Sequence, residues 1–336
     1  VYSLISFEQR GDAVSSHRQS VTVFAPATVA NVGSAFDVLG FALDAPGDTI
    51  TATFCQTPGI TVRDISGDGG LLPLDPERNT AAVSARALLD HLIRKDSATY
   101  AKLGISLSIQ KGLPIGSGLG SSSASTVGGV VATNELLGEP LTRSELLPFA
   151  MEGERVACGA AHADNVAPCL LGGFVLIRSY TPLDVIPLPC PASVSVAVVS
   201  PQLELRTSDA RKVLKRSVPL ESAIVQWGNV AALIAGIFRD DAALMGRALA
   251  DSIIEPERGQ LIPGYTSAKL AAREAGALGC AISGSGPALF AICRDRVNAA
   301  HVASAMEAAF KSEAGVASTS YISGINTLGA KVINRG

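Results

Sequence analysis

The sequence lacks any pair of cysteines spaced for a metal or a redox site. Cys55, Cys158, Cys169, Cys190, Cys280 and Cys293 include no C-x-x-C, and none stands near a histidine at zinc-ligand spacing. This argues against zinc modules and points to reduced, mostly buried thiols. The expected location is therefore the cytoplasm, or a plastid if a leader is removed. No signal peptide is expected, and the apolar run 194–199 is far short of the roughly 20 residues that span a bilayer, so no membrane partner is expected. Basic charge is also scarce. With a net charge of -3 and no basic stretch, the chain cannot neutralise a row of phosphates, which argues against nucleic acid as a partner. No repeat and no low-complexity tract is present.

What remains is a chain of 336 residues, 47% hydrophobic, enough for two compact lobes. The polar residues 1–19 read as a leader or irregular segment outside the fold. Strands are expected at 20–25, 48–55 and 105–110, and a helix at 80–95, where Ala81, Ala85, Leu88, Leu89 and Leu92 recur at helical spacing. A small-residue helix is expected at 121–137, ended by Gly138 and Pro140. A further helix is expected from Thr142 to about Cys158, with Glu145 at capping-box distance. After a strand at 172–178, the proline-rich stretch 182–191 reads as a loop or boundary. The second half then reads β-α-α-α-β-β-α-β, a sheet with helices on one face.

Residues 114–124 carry the clearest chemical signal. Gly116, Gly118 and Gly120 alternate with Ser117 and Leu119, and Ser121, Ser122 and Ser123 then open the helix. Alternating glycines let a backbone approach a ligand closely and adopt positive φ. A helix start offers unpaired N–H groups and the positive end of its dipole. Together they make a phosphate cradle. It is not a Walker loop, because no lysine follows the glycines, and its spacing is not that of a dinucleotide fingerprint.

Three separated segments together resemble the GHMP kinase family of galactokinase, homoserine, mevalonate and phosphomevalonate kinases. They are residues 25–40, the glycine-serine loop and residues 282–287. A fourth segment, from Glu154 through His162 to Pro168 and on to Gly172, Gly173 and Phe174, is similar to the homoserine-phosphorylating branch, as is 255–258. The resemblance covers about residues 21–328. It implies an α+β fold of two domains, 20–185 and 186–334. The first would bind ATP and contain a left-handed β-α-β crossover, and the second would be ferredoxin-like.

By the same resemblance, the nucleotide would meet Asn79 and the whole loop: Pro114, Ile115, Gly116, Ser117, Gly118, Leu119, Gly120, Ser121, Ser122, Ser123 and Ala124. Ser122 and Glu154 would hold Mg²⁺. Homoserine carries an ammonium, a carboxylate and a hydroxyl. Asn31 and Asp37 would take the first, Arg211 and Arg258 the second with Thr207 nearby, and His162 would touch the substrate or hold the turn. Asp164 would orient or deprotonate the hydroxyl and Asn165 would help position it. A homodimer is compatible with the resemblance. The alternatives are a mevalonate-type or shikimate-type kinase, or a non-catalytic nucleotide-binding regulator. Two departures stand out. Ala35 replaces the family's glycine before Phe36-Asp37, which would be strained if that position needs φ > 0, and the loop reads Ser-Ser-Ser where Ser-Ser-Ala is common.

Overall fold

A computed structural model describes residues 19–159 and 162–336, without the side chains of residues 157 and 158. The expected leader thus lies outside the described residues except for Gln19. The described strands are β1 (Ser20–Ala30), β2 (Leu39–Cys55), β3 (Gly59–Ser66), β4 (Gly104–Gln110), β5 (Phe174–Tyr180), β6 (Leu183–Leu188), β7 (Ser195–Pro201), β8 (Gly279–Ile282), β9 (Leu289–Cys293), β10 (Ser318–Ser323) and β11 (Lys331–Arg335). The helices are α1 (Thr80–Lys95), α2 (Ser97–Tyr100), α3 (Ser121–Leu136), α4 (Leu147–Cys158), α5 (Ala163–Leu171), α6 (Thr207–Lys212), α7 (Leu220–Arg239), α8 (Ala242–Ala248), α9 (Glu255–Arg258), α10 (Tyr265–Glu274) and α11 (Arg296–Ala314).

The first sheet runs β11-β1-β2-β4-β3, and β5 and β6 continue from the other end of β2. At 17 residues β2 is long enough to pair with β4 through 49–55 and with β5 through 39–41. β3 and β4 are parallel, and α1 makes the crossover between them. The second sheet is antiparallel in the order β10-β7-β9-β8. With helices between β7 and β8 and again between β9 and β10, its pattern is the ferredoxin-like β-α-β-β-α-β.

Two sequence expectations change. The stretch 182–191 is not simply a loop: β6 pairs antiparallel with β5 and is bonded on that side only. An edge strand tolerates Pro187 because its missing N–H can fall on the unpaired side. At the other end of the chain, β11 returns to pair with β1, and Arg335 reaches Glu135 of α3 at 2.9 Å. Residues 331–335 therefore belong to the first sheet, although they follow the second in sequence. Elsewhere the periodicity held: the helix expected at 80–95 is α1. Glu145 caps the Thr142 N–H at 2.8 Å, but a short 3₁₀ turn at Ser144–Leu146 intervenes before α4.

α3 is buried from Ser123 to Leu136 and packs against β1, β2, α1 and α4. Small residues make this possible. A Cβ at Gly128 would lie 2.2 Å from Ile50 Cδ1, and one at Gly129 would lie 2.4 Å from the Ala81 carbonyl oxygen. By length and composition alone, one described helix, α7, is apolar enough to cross a membrane.

Gly129→Ala should lower the urea midpoint. The overpacking cost of about 1–3 kcal/mol exceeds the roughly 1 kcal/mol gained in helix propensity. An unchanged or higher midpoint would mean that α1 and α3 can separate without loss.

Candidate active site

The three motif segments meet at one place. The loop after β4 turns on Gly116, Gly118 and Gly120, all at positive φ between 68° and 81°. Two of these glycines are required by close neighbours. A Cβ at Gly118 would lie 2.6 Å from the Ser283 carbonyl, and one at Gly120 would lie 2.1 Å from Thr28 Oγ1. The Gly118 carbonyl accepts from Ser283 Oγ at 2.7 Å, the Ala288 N–H donates to the Ser117 carbonyl, and the Thr28 N–H donates to that of Leu119. The phosphate-type loop is thus clamped between β1 and the turn joining β8 to β9. α3 begins at Gly120 with no side-chain cap, leaving its first N–H groups to an anion.

Beneath the loop lies an ion pair that sequence reasoning missed. Lys111 Nζ bonds Asp48 and also donates to Ser121 O at 2.9 Å and Ser125 Oγ at 2.8 Å. Asp48 accepts from the Gly112 and Leu113 N–H groups at 3.0 and 3.3 Å and from Ser125 Oγ at 2.9 Å. Both side chains are almost completely buried. Burial holds the Lys111 pKa below the usual lysine range, with Asp48 opposing it. The available clue was a lysine just ahead of the glycines, but its partner is 63 positions away.

A cleft of about 350 Å³ opens above the loop, a size suited to small molecules. On its loop side, the Glu154 carboxylate accepts from Ser122 Oγ at 3.0 Å and Ser123 Oγ at 2.9 Å. Opposite are Asn31, Asp37, His162, Asp164, Asn165, Thr207, Arg211 and Arg258. Arg211 Nη2 meets both Asp37 oxygens at 2.7 and 2.9 Å and approaches His162 Nδ1 at 3.4 Å. Arg211 and Arg258 both lie over the Phe36 ring, 5.4 and 4.9 Å from its centroid. Arg258 is buried, with Nε and Nη1 on the carbonyls of Ala210 and Gly284, and burial together with Arg211 lowers its pKa to about 10. Burial also lowers the His162 pKa, with Arg211 adding to the effect, so its ring is neutral at pH 7. The carboxyl of Asp164 is driven up to about 7, mainly by burial, then by Asp37 and Glu154.

Some expected site residues are committed elsewhere. The Asn31 side chain accepts from the Asp37 N–H at 2.9 Å and donates to the Gly284 carbonyl at 2.7 Å, so it shapes the first motif and ties it to the third. Asn79 caps α1 through Ala81 and Ala82 and donates to the Pro73 carbonyl, whereas its neighbours Arg78 and Thr80 line the cleft. Leu119, Ser123 and Ala124 are buried behind the loop. Ala35 is not strained: positive φ falls instead on Asn31, Val32, Gly33 and Asp37, at 68°, 37°, 65° and 61°. Tyr180, also missed, donates to the Asp37 carbonyl at 3.0 Å and accepts from the Ala163 N–H at 3.3 Å, bridging the first and fourth motifs.

The fold and the clamped loop define a class that comparison with known proteins identifies. Residues 81–173 match the model of the GHMP kinases N terminal domain, and 233–312 match that of the GHMP kinases C terminal. The chain is 49% identical over 321 residues to a homoserine kinase of Chlorobium phaeobacteroides, covering 94% of this chain and 100% of that one. A homoserine kinase of Chlorobium phaeovibrioides is 50% identical over the same shares of both chains. The crystal structure of homoserine kinase from Cytophaga hutchinsonii superposes with a TM-score of 0.90 at 49% identity, covering 95% of this chain and 99% of that one. The chain belongs to the GHMP kinase family, in its homoserine kinase branch.

Two stability changes should follow. Lys111→Met leaves Asp48 buried without its cation and should cost about 3–5 kcal/mol in urea unfolding, with part recovered when Asp48→Asn is added. A single variant as stable as the parent would mean that the pair does not anchor the loop. The raised pKa of Asp164 means that the folded chain holds a proton that the unfolded chain releases at lower pH. This contribution is complete below about pH 4 and is lost as pH rises through about 7. Asp164→Asn should therefore stabilise the fold at pH 8 by about 1–4 kcal/mol and leave it unchanged at pH 4. Equal shifts at both pH values would contradict that origin.

Proposed function

We propose that the chain transfers the γ-phosphoryl group of ATP to the side-chain hydroxyl of L-homoserine, forming ADP and O-phospho-L-homoserine on the route to threonine. One observation carries the reading of the substrate. Opposite the phosphate loop, a carboxylate and two guanidinium groups face one cleft, the charge pattern that complements the ammonium and carboxylate of a free amino acid. The Nε of Arg211 is buried and has no hydrogen-bond partner, a donor available to the substrate carboxylate. In this reading, homoserine exchanges with the Asp37–Arg211 pair: its ammonium binds Asp37 and its carboxylate binds Arg211 and Arg258. Thr207, whose hydroxyl lies 3.4 Å from that of Ser285, borders the same end of the cleft.

Catalysis then consists of alignment and charge stabilisation. The loop from Ile115 to Ser122 and the start of α3 receive the phosphates. The hydroxyl oxygen bonds to the γ-phosphorus as the bond to the bridging oxygen of ADP breaks, and the hydroxyl proton passes to Asp164. A carboxyl titrating near 7 suits that role. Asn165 is held by Thr28 Oγ1, which donates to its Oδ1 at 2.7 Å. Its amide nitrogen has no partner among the described residues and can orient the hydroxyl. The donor set on the loop side is all oxygen, the Glu154 carboxylate beside Ser122 Oγ, which fits the one or two protein ligands that Mg²⁺ takes. When bound, the ion would offset phosphate charge. Lys111 also lines the cleft, but its ammonium is held by Asp48, so the proton acceptor in this reading is the carboxylate alone.

Coupled ADP release with ATP and Mg²⁺ should show saturable turnover on L-homoserine. Mevalonate offers no ammonium, so Asp37 stays unmatched, at a cost of about 1–3 kcal/mol, or about 10–100-fold in kcat/KM. Arg258→Ala should raise KM for homoserine, and Glu154→Ala should mainly lower kcat. Turnover on mevalonate but not homoserine would overturn the substrate assignment. Nucleotide binding without turnover on any alcohol would favour a regulator. kcat should rise with pH through about 7 and lose that limb in Asp164→Asn. A variant that keeps most of its activity and the same pH profile would make Asp164 a positioning group only.

A further inference from the structure

α7 carries an apolar face that the described fold leaves uncovered. Leu220, Ile224, Trp227 and Phe238 are between 55% and 63% exposed. Between them the exposed positions are small: Gly228, Ala231 and Ala235. At 100° per residue these seven fall within one arc of about 100°, a continuous stripe along some 30 Å of helix. A Cβ added at Gly228 would meet no atom within 4 Å. The other face is fixed to the protein: Gln226 Nε2 donates to Ser34 O at 2.8 Å and Asp251 Oδ1 at 2.9 Å, and Asn229 donates to Ala250 O at 2.8 Å. The stripe therefore belongs to a rigidly seated helix that also holds the start of the first motif loop.

We propose that this stripe is the interface with a second copy of this chain, the two α7 helices packing antiparallel about a twofold axis beside Asn229 and Val230. Charge complementarity selects this occupant. Glu221 and Arg239 are both exposed, no ion pair holds either, and they are the only charged residues of α7. They stand about five whole turns apart, on the same edge of the stripe and equally far from its centre. A twofold axis between antiparallel helices places Glu221 of one copy against Arg239 of the other, at both ends. The same operation sets Leu220 against Phe238. The small residues in the middle let the helices approach closely, and the exposed tryptophan and phenylalanine supply the anchors common in protein interfaces. A membrane surface fits less well, because helices that lie on lipid carry a polar face rich in lysine and arginine, whereas the second face of α7 packs on its own protein.

Sedimentation velocity of the full chain should give a species of twice 34.4 kDa at micromolar concentration. Dilution should shift the emission of Trp227, the one tryptophan in the chain, to the red as it re-enters water. Ala231→Arg should leave the circular dichroism and melting temperature intact and yield monomer where the parent is dimeric. Glu221→Arg should weaken the dimer, and adding Arg239→Glu should restore it, because the swap rebuilds both pairs. A parent that stays monomeric, a dimer indifferent to Ala231→Arg, or a charge swap that fails to rescue would each overturn the antiparallel pairing. So would a monomer that instead floats with vesicles of phosphatidylcholine and phosphatidylglycerol. None of these readouts depends on which alcohol the cleft phosphorylates.

Discussion

The site is built on a buried lysine. Lys111 ends the run of backbone that leaves β4, and its ammonium draws together Asp48 on β2, the Ser121 carbonyl at the start of α3 and the Ser125 hydroxyl one turn later. Two buried charges are costly to desolvate, and this pair is tolerable because Asp48 also accepts two backbone N–H groups and a hydroxyl. The result is a rigid floor under a loop made mostly of glycine and serine. Without it, a segment with so little side-chain packing would have few reasons to keep one conformation. With it, the glycines can present their backbone to a ligand while Ser283 and Ala288 hold them from the other lobe.

The opposite wall works by electrostatic balance. Arg211 and Arg258 crowd together over Phe36, and Asp37 partly offsets them. Asp164 sits deeper, where burial and its acidic neighbours keep its proton near neutral pH. A carboxyl in that setting can take or hold a proton at little cost, whereas an exposed aspartate would be a weak base at neutral pH. The Asp37–Arg211 pair also keeps both charges satisfied before a substrate arrives. Any ligand that breaks it must replace both partners, which makes selection for a zwitterion a property of the wall.

Local chemistry made much of this readable. Glycine alternation followed by serines at 121–123 identified the phosphate loop, and the period of Ala81, Ala85, Leu88 and Leu92 identified α1 to the residue. Lys111 and Tyr180 were not readable, since each matters only through a partner distant in sequence. Asn31 and Asn79 were read as ligand contacts from their motif positions. In the structure their amides are used up on backbone groups, a commitment that residue type does not reveal. The concern over Ala35 failed for a related reason: the loop places its positive φ angles on the residues around it.

By itself, the sequence determined the elements whose information is local: helical periods, the phosphate loop, the absence of metal-type cysteine spacing, and the residue types gathered around His162 and Arg258. Tertiary structure decided the rest. It brought β11 back to β1, turned 183–188 into an edge strand, and placed the first motif beside the third so that the loop is clamped from both sides. It also paired Asp37 with Arg211 across 174 positions and buried Asp164 deeply enough to shift its titration. Periodicity and turn chemistry act over a few residues, so they can be read along the chain. Burial and charge pairing depend on distances that exist only once the chain has folded.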